Sequence, residues 1–507
     1  MATAPPDASR PVIIVGSGLA GLAAAHEAAK AGATVHMLER GPKPGGNSIK
    51  ASSGINGAGT QFQRASGILN DTSDLFRNDT IRSAGFRFQT RKEAATGNDI
   101  DRESLVDTLT KSSASAIHWL ADEIGVDLTV VAALGGHSVA RTHRGAGKTP
   151  PGAAIVTGLL QKLEQRPEFK LHTSARVTQI HVDGEGRVRG VRYVQKSEGG
   201  REGQQPRREN QEEEPKEEQV DLYGPVIFTA GGFAGDAHGQ LARYRPDLAG
   251  LPSTNEARPG PHGLMAGVGA ELIDMDSVQV HPTGFVDPSD ANSPYKILAA
   301  EMLRGEGGIL LSPQGRRFVN ELERRDVISE AIMGLPQPAT EQGIKQWDVT
   351  LLLDPGAIDA TAGHLGFYTF KGLVEKKKVK DLDPAVIETV DRYAELVASG
   401  RDDDEFGRRT FGHWRLVPGE ANREEEVCVG RVTPVVHFTM GGVAFDNKAR
   451  VLRRASDGGA LVPVSGLWAA GEVTGGLHGD NRLGGSSLLE CVVFGRVAGR
   501  EAAEAAK

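Results

Sequence analysis

The region between Val12 and Glu39 restricts the fold more than any other part of this sequence. Val12–Val15 is a short β-branched run, the pattern of a strand buried on both faces. Gly16-Ser17-Gly18-Leu19-Ala20-Gly21 follows at once, and then an Ala-rich stretch, Leu22–Ala31, that reads as a helix closed by Gly32. Thr34–Leu38 reads as a second strand, ending at Glu39. This order is the βαβ unit that holds a dinucleotide. Gly16 makes the tight turn, and Gly18 lets the backbone approach a pyrophosphate seated on the positive end of the helix. Gly21 lets the helix pack closely on the strand. Glu39, 23 positions past Gly16, is placed to accept hydrogen bonds from ribose hydroxyls.

The rest of the chain extends this unit. Further apolar runs at Val226–Thr229 and Gly466–Ala470 end in glycines, at Gly231-Gly232 and Gly471, as strands do whose ends face one ligand. Glycine is heavily used, 65 in 507 residues, nearly twice the average of about 7%. The glycines gather where hydrophobic runs end, which suits tight turns and close backbone approach. Between Lys196 and Gln219 the composition turns to Glu, Gln, Lys, Arg and Gly, a stretch too polar to fold alone, expected to be a solvated hairpin insertion. From about Asp276 to Val436 dinucleotide signatures stop and His and Arg appear in turn settings. The expectation is an α/β protein: a discontinuous Rossmann-like dinucleotide domain (1–275 and 437–507) with an inserted α+β capping domain (276–436).

Lys+Arg number 58 against Asp+Glu 66, a net charge of -8. That leaves no basic excess to displace counterions from phosphate, so no nucleic-acid partner is expected. No apolar run approaches the roughly 18 residues that span a bilayer, so no membrane partner is expected. Neither end of the sequence carries a familiar targeting signal. A soluble cytoplasmic protein is expected, with the mitochondrion as the alternative compartment.

The acid at Glu39 is followed by Arg40-Gly41 and by a second glycine cluster, Gly45-Gly46-Asn47-Ser48, with small residues onward to Gly59. This stretch resembles the large two-dinucleotide-binding-domain flavoprotein family, where it runs along the cofactor toward the isoalloxazine. Ala470-Gly471-Glu472 resembles that family's closing motif. The resemblance implies FAD, contacted by Gly16, Gly18, Gly21, Glu39, Arg40, Gly46, Asn47, Ser48, Gly231, Glu472, Ser487 and Leu488. Succinate dehydrogenases attach FAD through a histidine soon after the second cluster. Gly45–Gly59 contains none, so FAD is expected to be non-covalent. Two cysteines, Cys428 and Cys491, cannot ligate an iron–sulfur cluster, and no Cys-x-x-Cys-His is present for a c-type haem. Electrons are therefore expected from a diffusible donor or another protein.

Four further places carry chemistry: His281-Pro282-Thr283, Glu301–Gly305, Arg316–Asp326, and the pair His437–Gly442 and His478–Leu489. Taken singly, each has a bland reading. A lone His is usually structural, and a Glu–Arg pair three apart on a helix is usually a solvated pair. Together, from about Val12 to Gly499, they resemble the soluble fumarate reductase flavoproteins, particularly the fungal heme-free type. The resemblance implies that His281 and His437 bind one carboxylate of fumarate and Arg482 the other. It makes Arg325 the proton donor and Glu301 with Arg304 the relay that reprotonates it. Ala300 departs from the bacterial branch, which has a substrate-contacting threonine there; the fungal branch resembles this chain.

That reaction needs cations or hydrogen-bond donors at both ends of a dicarboxylate, stabilisation of the charge that builds on one carboxylate, and a proton for the second carbon. It asks for no metal, and none is expected. Arginine, with a pKa above about 12, reads by itself as an electrostatic clamp; the proton-donor role of Arg325 comes from the resemblance. Fumarate reduction to succinate, with reduced free flavin or a reductase supplying it as donor, is the expected activity. The alternatives are another unsaturated acid such as urocanate or an acrylate, an L-aspartate oxidase-like reaction, and a non-catalytic flavin-binding protein.

Overall fold

The computed structural model describes residues 10–90, 100–196, 217–337, 344–456 and 458–507. Strand β1 (Val12–Val15) sits inside a six-stranded sheet, between β2 (Val35–Leu38) and the strand Val226–Phe228. Phe169–His172 extends the β2 edge. Leu461–Ala469 and Arg450–Arg454 extend the other, the last pair antiparallel and the rest parallel. Val12, Ile13 and Ile14 are fully buried, as a strand covered on both faces requires.

Helix α1 runs Leu19–Lys30, so it begins inside the glycine motif rather than at Leu22. Gly18 is its extended N-cap, with no side chain capping it. Starting the helix here leaves its first turn without a cap from the N-cap residue, so amides of the motif can serve an anion. Gly16 turns the chain at φ +105, and a Cβ there would lie 2.6 Å from the Thr229 carbonyl oxygen. Thr229 supports that turn by donating to the Val15 and Gly16 carbonyls at 3.0 and 2.9 Å.

The charged stretch expected as a hairpin insertion lies for its greater part, residues 197–216, outside the described residues. Its ends are antiparallel neighbours, with Lys196 opposite Glu217. They belong to a three-stranded sheet of Ala175–Val182, Val188–Lys196 and Glu217–Tyr223.

A second, antiparallel sheet is built around β3 (Val278–Phe285). In chain order α2 (Glu301–Gly305), α3 (Arg325–Met333) and α4 (Ala362–Phe370) follow it, then the long strand β4 (Glu426–Thr439), which pairs with β3. Ile297–Leu298, which pairs with the end of β3, and Ile309–Leu311, Val349–Leu353 and Glu375–Lys378 complete this sheet. Its core, with Phe285, Leu310, Leu351 and Val432, is separate from the cores on the faces of the first sheet.

The C-terminal helix α5 (Ser486–Ala505) returns to the first sheet and packs along α1. The two approach closely because Gly495 and Gly499 face α1: a Cβ on either would lie 2.4 or 2.3 Å from the Ala20 or Ala24 carbonyl oxygen. No helix among the described residues is long and apolar enough to cross a membrane.

Candidate active site

A cavity of about 1030 Å³ opens between the two sheets, at the upper end of the about 300–1,000 Å³ of small-molecule sites. Of the residues expected at a cofactor, Gly16, Gly18, Glu39, Arg40, Gly46, Asn47, Ser48, Gly231, Glu472, Ser487 and Leu488 all line it. Gly21 does not. It lies under α1, where a Cβ would come within 2.2 Å of the Gly16 carbonyl oxygen. Its role is to close the helix onto the turn.

Two helix N-termini open onto the cavity without side-chain caps, α1 at Gly18 and α5 at Gly485. Uncapped amides and the helix dipoles favour an anion at both places. Ser48 fixes the α1 end, its Oγ accepting from the Leu19 N–H at 3.1 Å. Glu39 accepts from the Ser17 N–H and hydroxyl at 3.1 and 2.5 Å and from the Gly41 N–H at 2.7 Å. Three of its roughly four lone-pair sites are thus used, and one is left for a ribose hydroxyl. Asn47 is held by a hydrogen bond to Asn255. Glu472 accepts from the Thr439 N–H at 3.0 Å, and burial pushes its carboxyl up to about 7. An anion cradle, an acid at the second strand end and a long cavity suit a flavin dinucleotide.

Beyond this cradle the second sheet brings cationic and imidazole groups together. Arg325, His437 and Arg482 line the cavity; His281, Glu301 and Arg304 lie buried behind it. Arg325 is the first residue of α3, where the helix dipole opposes a cation. It is held by Glu301, whose Oε2 accepts from Nε and Nη2 at 2.9 and 2.6 Å. Burial pushes the Glu301 carboxyl up, but the Arg325 and Arg304 guanidiniums outweigh it and leave it at about 2. Its other oxygen accepts from the Gly135 N–H at 2.9 Å.

Arg304 makes no hydrogen bond to Glu301 among the described residues. It donates from Nη1 to the Glu321 carbonyl, while its Nε and Nη2 have no partner. Burial lowers it to about 10. The expected relay is therefore a direct contact from Arg325 to Glu301 and an electrostatic one from Glu301 to Arg304.

Arg482 stacks over the Phe438 ring at 4.3 Å and has no carboxylate partner within salt-bridge distance among the described residues. Burial, then the charge of Arg325, lowers it to about 9. His437 is the extra residue of a bulge: Val436 pairs with Val280 and Phe438 with Gln279, leaving His437 between them. Such a bulge re-aims a side chain, and here it points the imidazole into the cavity. The Asn255 side chain takes up the freed His437 carbonyl at 3.0 Å. His281 meets His437 edge-to-face, ring centroids 5.3 Å apart. Its Nδ1 accepts from the Thr283 N–H at 3.2 Å, which leaves the proton on Nε2, and Nε2 has no partner. Burial and Arg325 hold both histidines well below 6.5, so both are neutral hydrogen-bonding groups.

Sequence reasoning missed Gln279. Its Oε1 accepts from Arg325 Nη1 at 2.9 Å and Arg482 Nη2 at 3.1 Å, tying the two guanidiniums to one point. The signal was available, because a residue two before His281 on a strand shares its face. Glu490 was missed too: it accepts from buried His478 at 3.0 Å, under Phe438. Nothing local marks it, since it lies in the second turn of α5 while its partner His478 precedes that helix.

Comparison with known proteins agrees with this geometry. A family model described as FAD binding domain matches residues 11–488. Fumarate reductase 1 of Saccharomyces cerevisiae is 41% identical over 96% of this chain and 97% of its own. The fumarate reductase of Schizosaccharomyces pombe is 38% identical over 97% of this chain and 88% of its own. A flavocytochrome c3 fumarate reductase in an open conformation superimposes with a TM-score of 0.71 at 29% identity, covering 98% of this chain and 78% of its own. This chain belongs to the FAD binding domain family of flavoprotein oxidoreductases, in the group that holds the yeast fumarate reductases.

Proposed function

We propose that the protein reduces fumarate to succinate. The observation that carries this reading is the charge at the head of the cavity. Three buried guanidiniums, Arg304, Arg325 and Arg482, are gathered around one hydrogen-bonded carboxylate, Glu301. Unmatched buried cations cost several kcal/mol each, about as much as a broken buried pair, and a small dianion offsets that cost. A monocarboxylic acrylate would leave one guanidinium unmatched.

FAD, held by the α1 and α5 amides, Glu39 and Glu472 without a covalent bond, supplies the hydride when reduced. His281 Nε2–H and His437 hold one carboxylate, and Arg482 holds the other. The neutral imidazoles orient by hydrogen bonding, while Arg482, braced on Phe438, carries the charge-assisted contact. Arg325 lies between these groups and delivers a proton from its guanidinium to the substrate carbon. Glu301, in direct contact with Nε and Nη2, takes up a proton that arrives from solvent through Arg304, passes it to the deprotonated Arg325 and returns to the anion that both guanidiniums favour. The second sheet with its helices acts as the cap that keeps water from these groups. The external donor is reduced free flavin, and the place of action is the cytoplasm.

The test is anaerobic reoxidation of the reduced protein, followed by flavin absorbance. Fumarate reoxidises the wild type rapidly and Arg325→Ala at least about 100-fold more slowly with FAD retained. A wild type that fumarate does not reoxidise refutes the assignment. Acid precipitation should release all FAD to the supernatant; flavin in the pellet would refute non-covalent attachment.

A further inference from the structure

We propose that Arg87 sets which length of dicarboxylate the site accepts, by fixing the distance between the two chain segments that hold the substrate's ends. The proposal rests on the fumarate reductase reading above and adds to it a positioning residue that touches no substrate. One end is held from β3, which carries Gln279 and His281. The other is held by Arg482, in the loop that leads into α5. Gln279 bridges the two segments beside the substrate groups, its Nε2 donating to Asn481 Oδ1 at 2.7 Å. Arg87 bridges the same two segments again nearer the surface, its side chain 24% exposed where Gln279 is buried.

Arg87 lies on the short helix Phe86–Thr90. Its backbone N–H and its Nε donate to the two Asp480 oxygens, both at 2.9 Å. Nη1 and Nη2 donate to the two Asp276 oxygens at 2.9 and 2.8 Å, and Nη1 also reaches Asp274 at 3.2 Å. Asp274 and Asp276 lead into β3, and Asp480 stands two residues before Arg482. All three guanidinium nitrogens are thus spent on holding one segment against the other. The planar fork makes the contact directional, so it fixes position as well as charge.

Both sides of this clasp are themselves anchored, so the distance it sets is passed on. Arg102 donates to the two Asp274 oxygens at 2.6 and 2.9 Å and to the Gly476 carbonyl at 3.0 Å, which repeats the bridge with a buried guanidinium. The Asp480 N–H donates to the Ala84 carbonyl at 2.8 Å, at the end of the helix Ser73–Ala84. The Ser83 hydroxyl donates to the Asn481 carbonyl at 3.2 Å. A Cβ on Gly479 would lie 2.3 Å from the Ala84 carbonyl oxygen, so the loop has no room to slide along the helix. A dicarboxylate one methylene longer than succinate must therefore push the segments apart against these contacts. As an ion pair alone, a partly exposed arginine contributes little; the worth of Arg87 lies in the geometry it holds.

The experiment measures binding of succinate and of glutarate, the same dianion with one more methylene, to oxidised FAD-saturated holoenzyme by the change in flavin absorbance. We expect the wild type to prefer succinate by about 10-fold or more, which is what one surplus methylene costs in a fitted site. In Arg87→Met and in Asp480→Asn that preference should shrink about 5-fold or more, with succinate weakened and glutarate not. Arg77→Met is the matched control. Arg77 is 25% exposed, pairs with Glu103 and Asp107, and belongs to the helix Ser73–Ala84, but it bridges neither substrate segment. Its loss should leave the preference at the wild-type value. A preference unchanged in both clasp variants, or reduced equally in Arg77→Met, overturns the proposal. If Arg87→Met does not retain FAD, Asp480→Asn decides, since it leaves Arg87 on Asp276. A wild type that binds neither acid refutes the fumarate reading and the clasp with it, whereas failure of the clasp alone leaves wild-type binding of succinate intact.

Discussion

Arg325 donates from both Nε and Nη2 to a single oxygen of Glu301. This two-to-one contact leaves the other Glu301 oxygen to the Gly135 N–H, which holds the carboxylate plane still. A proton returning to Arg325 therefore has one short route. Glu301→Gln keeps the shape and removes the proton carrier. We expect kcat to fall about 100- to 1,000-fold, with KM for fumarate changed less than about threefold because Gln touches no substrate. Glu301→Asp should recover part of the loss, and equal loss in both variants would refute the relay.

The same pair gives stability a pH dependence of known sign. The folded Glu301 carboxyl lies at about 2, below its ordinary 4.5. A depressed carboxyl contributes stability that is present above 4.5 and lost as pH falls toward 2. Glu301→Gln leaves a buried guanidinium unmatched, costing about 3–5 kcal/mol near neutrality. The gap in thermal midpoint between wild type and variant should hold steady from pH 5 to 8 and shrink below 4.5. A gap that widens on acidification would contradict the pairing.

Gln279 fixes the spacing of the two arginines that face the substrate. Its amide nitrogen donates to Asn481 Oδ1 at 2.7 Å and the Arg482 carbonyl at 2.9 Å, so the side chain cannot turn over without losing four hydrogen bonds. Gln279→Leu removes the bridge and leaves two guanidinium N–H groups unpaired. We expect kcat/KM for fumarate to fall about 10- to 100-fold with FAD retained, since each lost charge-assisted bond is worth about 1.5–3 kcal/mol. Unchanged kcat/KM would show that the arginines are positioned by Glu301 and Phe438 alone.

The glycines of the first motif are not equivalent. A Cβ at Gly21 would sit 2.2 Å from a backbone oxygen, whereas at Gly18 the nearest atom is the Ser48 hydroxyl at 3.5 Å. Gly21→Ala should separate α1 from the turn and yield protein with little flavin absorbance. Gly18→Ala, which has room in the protein itself, should still fold and weaken FAD by direct contact. Equal thermal stability of the two variants in flavin-free form would refute this division.

The pattern in the sequence extended as far as local spacing reaches. The βαβ unit was legible because strand, turn, helix and acid lie in one continuous stretch; the helix start moved most, from Leu22 to Leu19, because the motif itself forms the first turn, while the helix end and the start of the second strand each moved by one residue. His281, Arg325, His437 and Arg482 were legible as types but not as neighbours, since β3, α3, β4 and the α5 approach meet only in three dimensions. The bulge that turns His437 inward depends on register between β3 and β4, which no single strand encodes. The missing Arg304–Glu301 hydrogen bond had the same origin: spacing on a short helix put them on one face, but the Glu321 carbonyl competes for the guanidinium.

Glu472 titrates in the direction opposite to Glu301. Burial raises its carboxyl to about 7, only partly countered by the Thr439 N–H. A raised carboxyl contributes stability that is complete below its ordinary 4.5 and lost as pH rises through about 7. Flavin-free wild type should thus lose thermal stability between pH 5 and 8 relative to Glu472→Gln, which carries no charge. We expect a relative shift of about 1–3 °C for a chain of this size. FAD affinity should follow the same group, because a cofactor hydroxyl that donates to Glu472 favours the anion. Binding should therefore tighten as pH rises through about 7 in the wild type and stay flat in Glu472→Gln. A flat wild-type profile would place Glu472 outside the cofactor contact, while a profile shared by both proteins would assign the titration to another group.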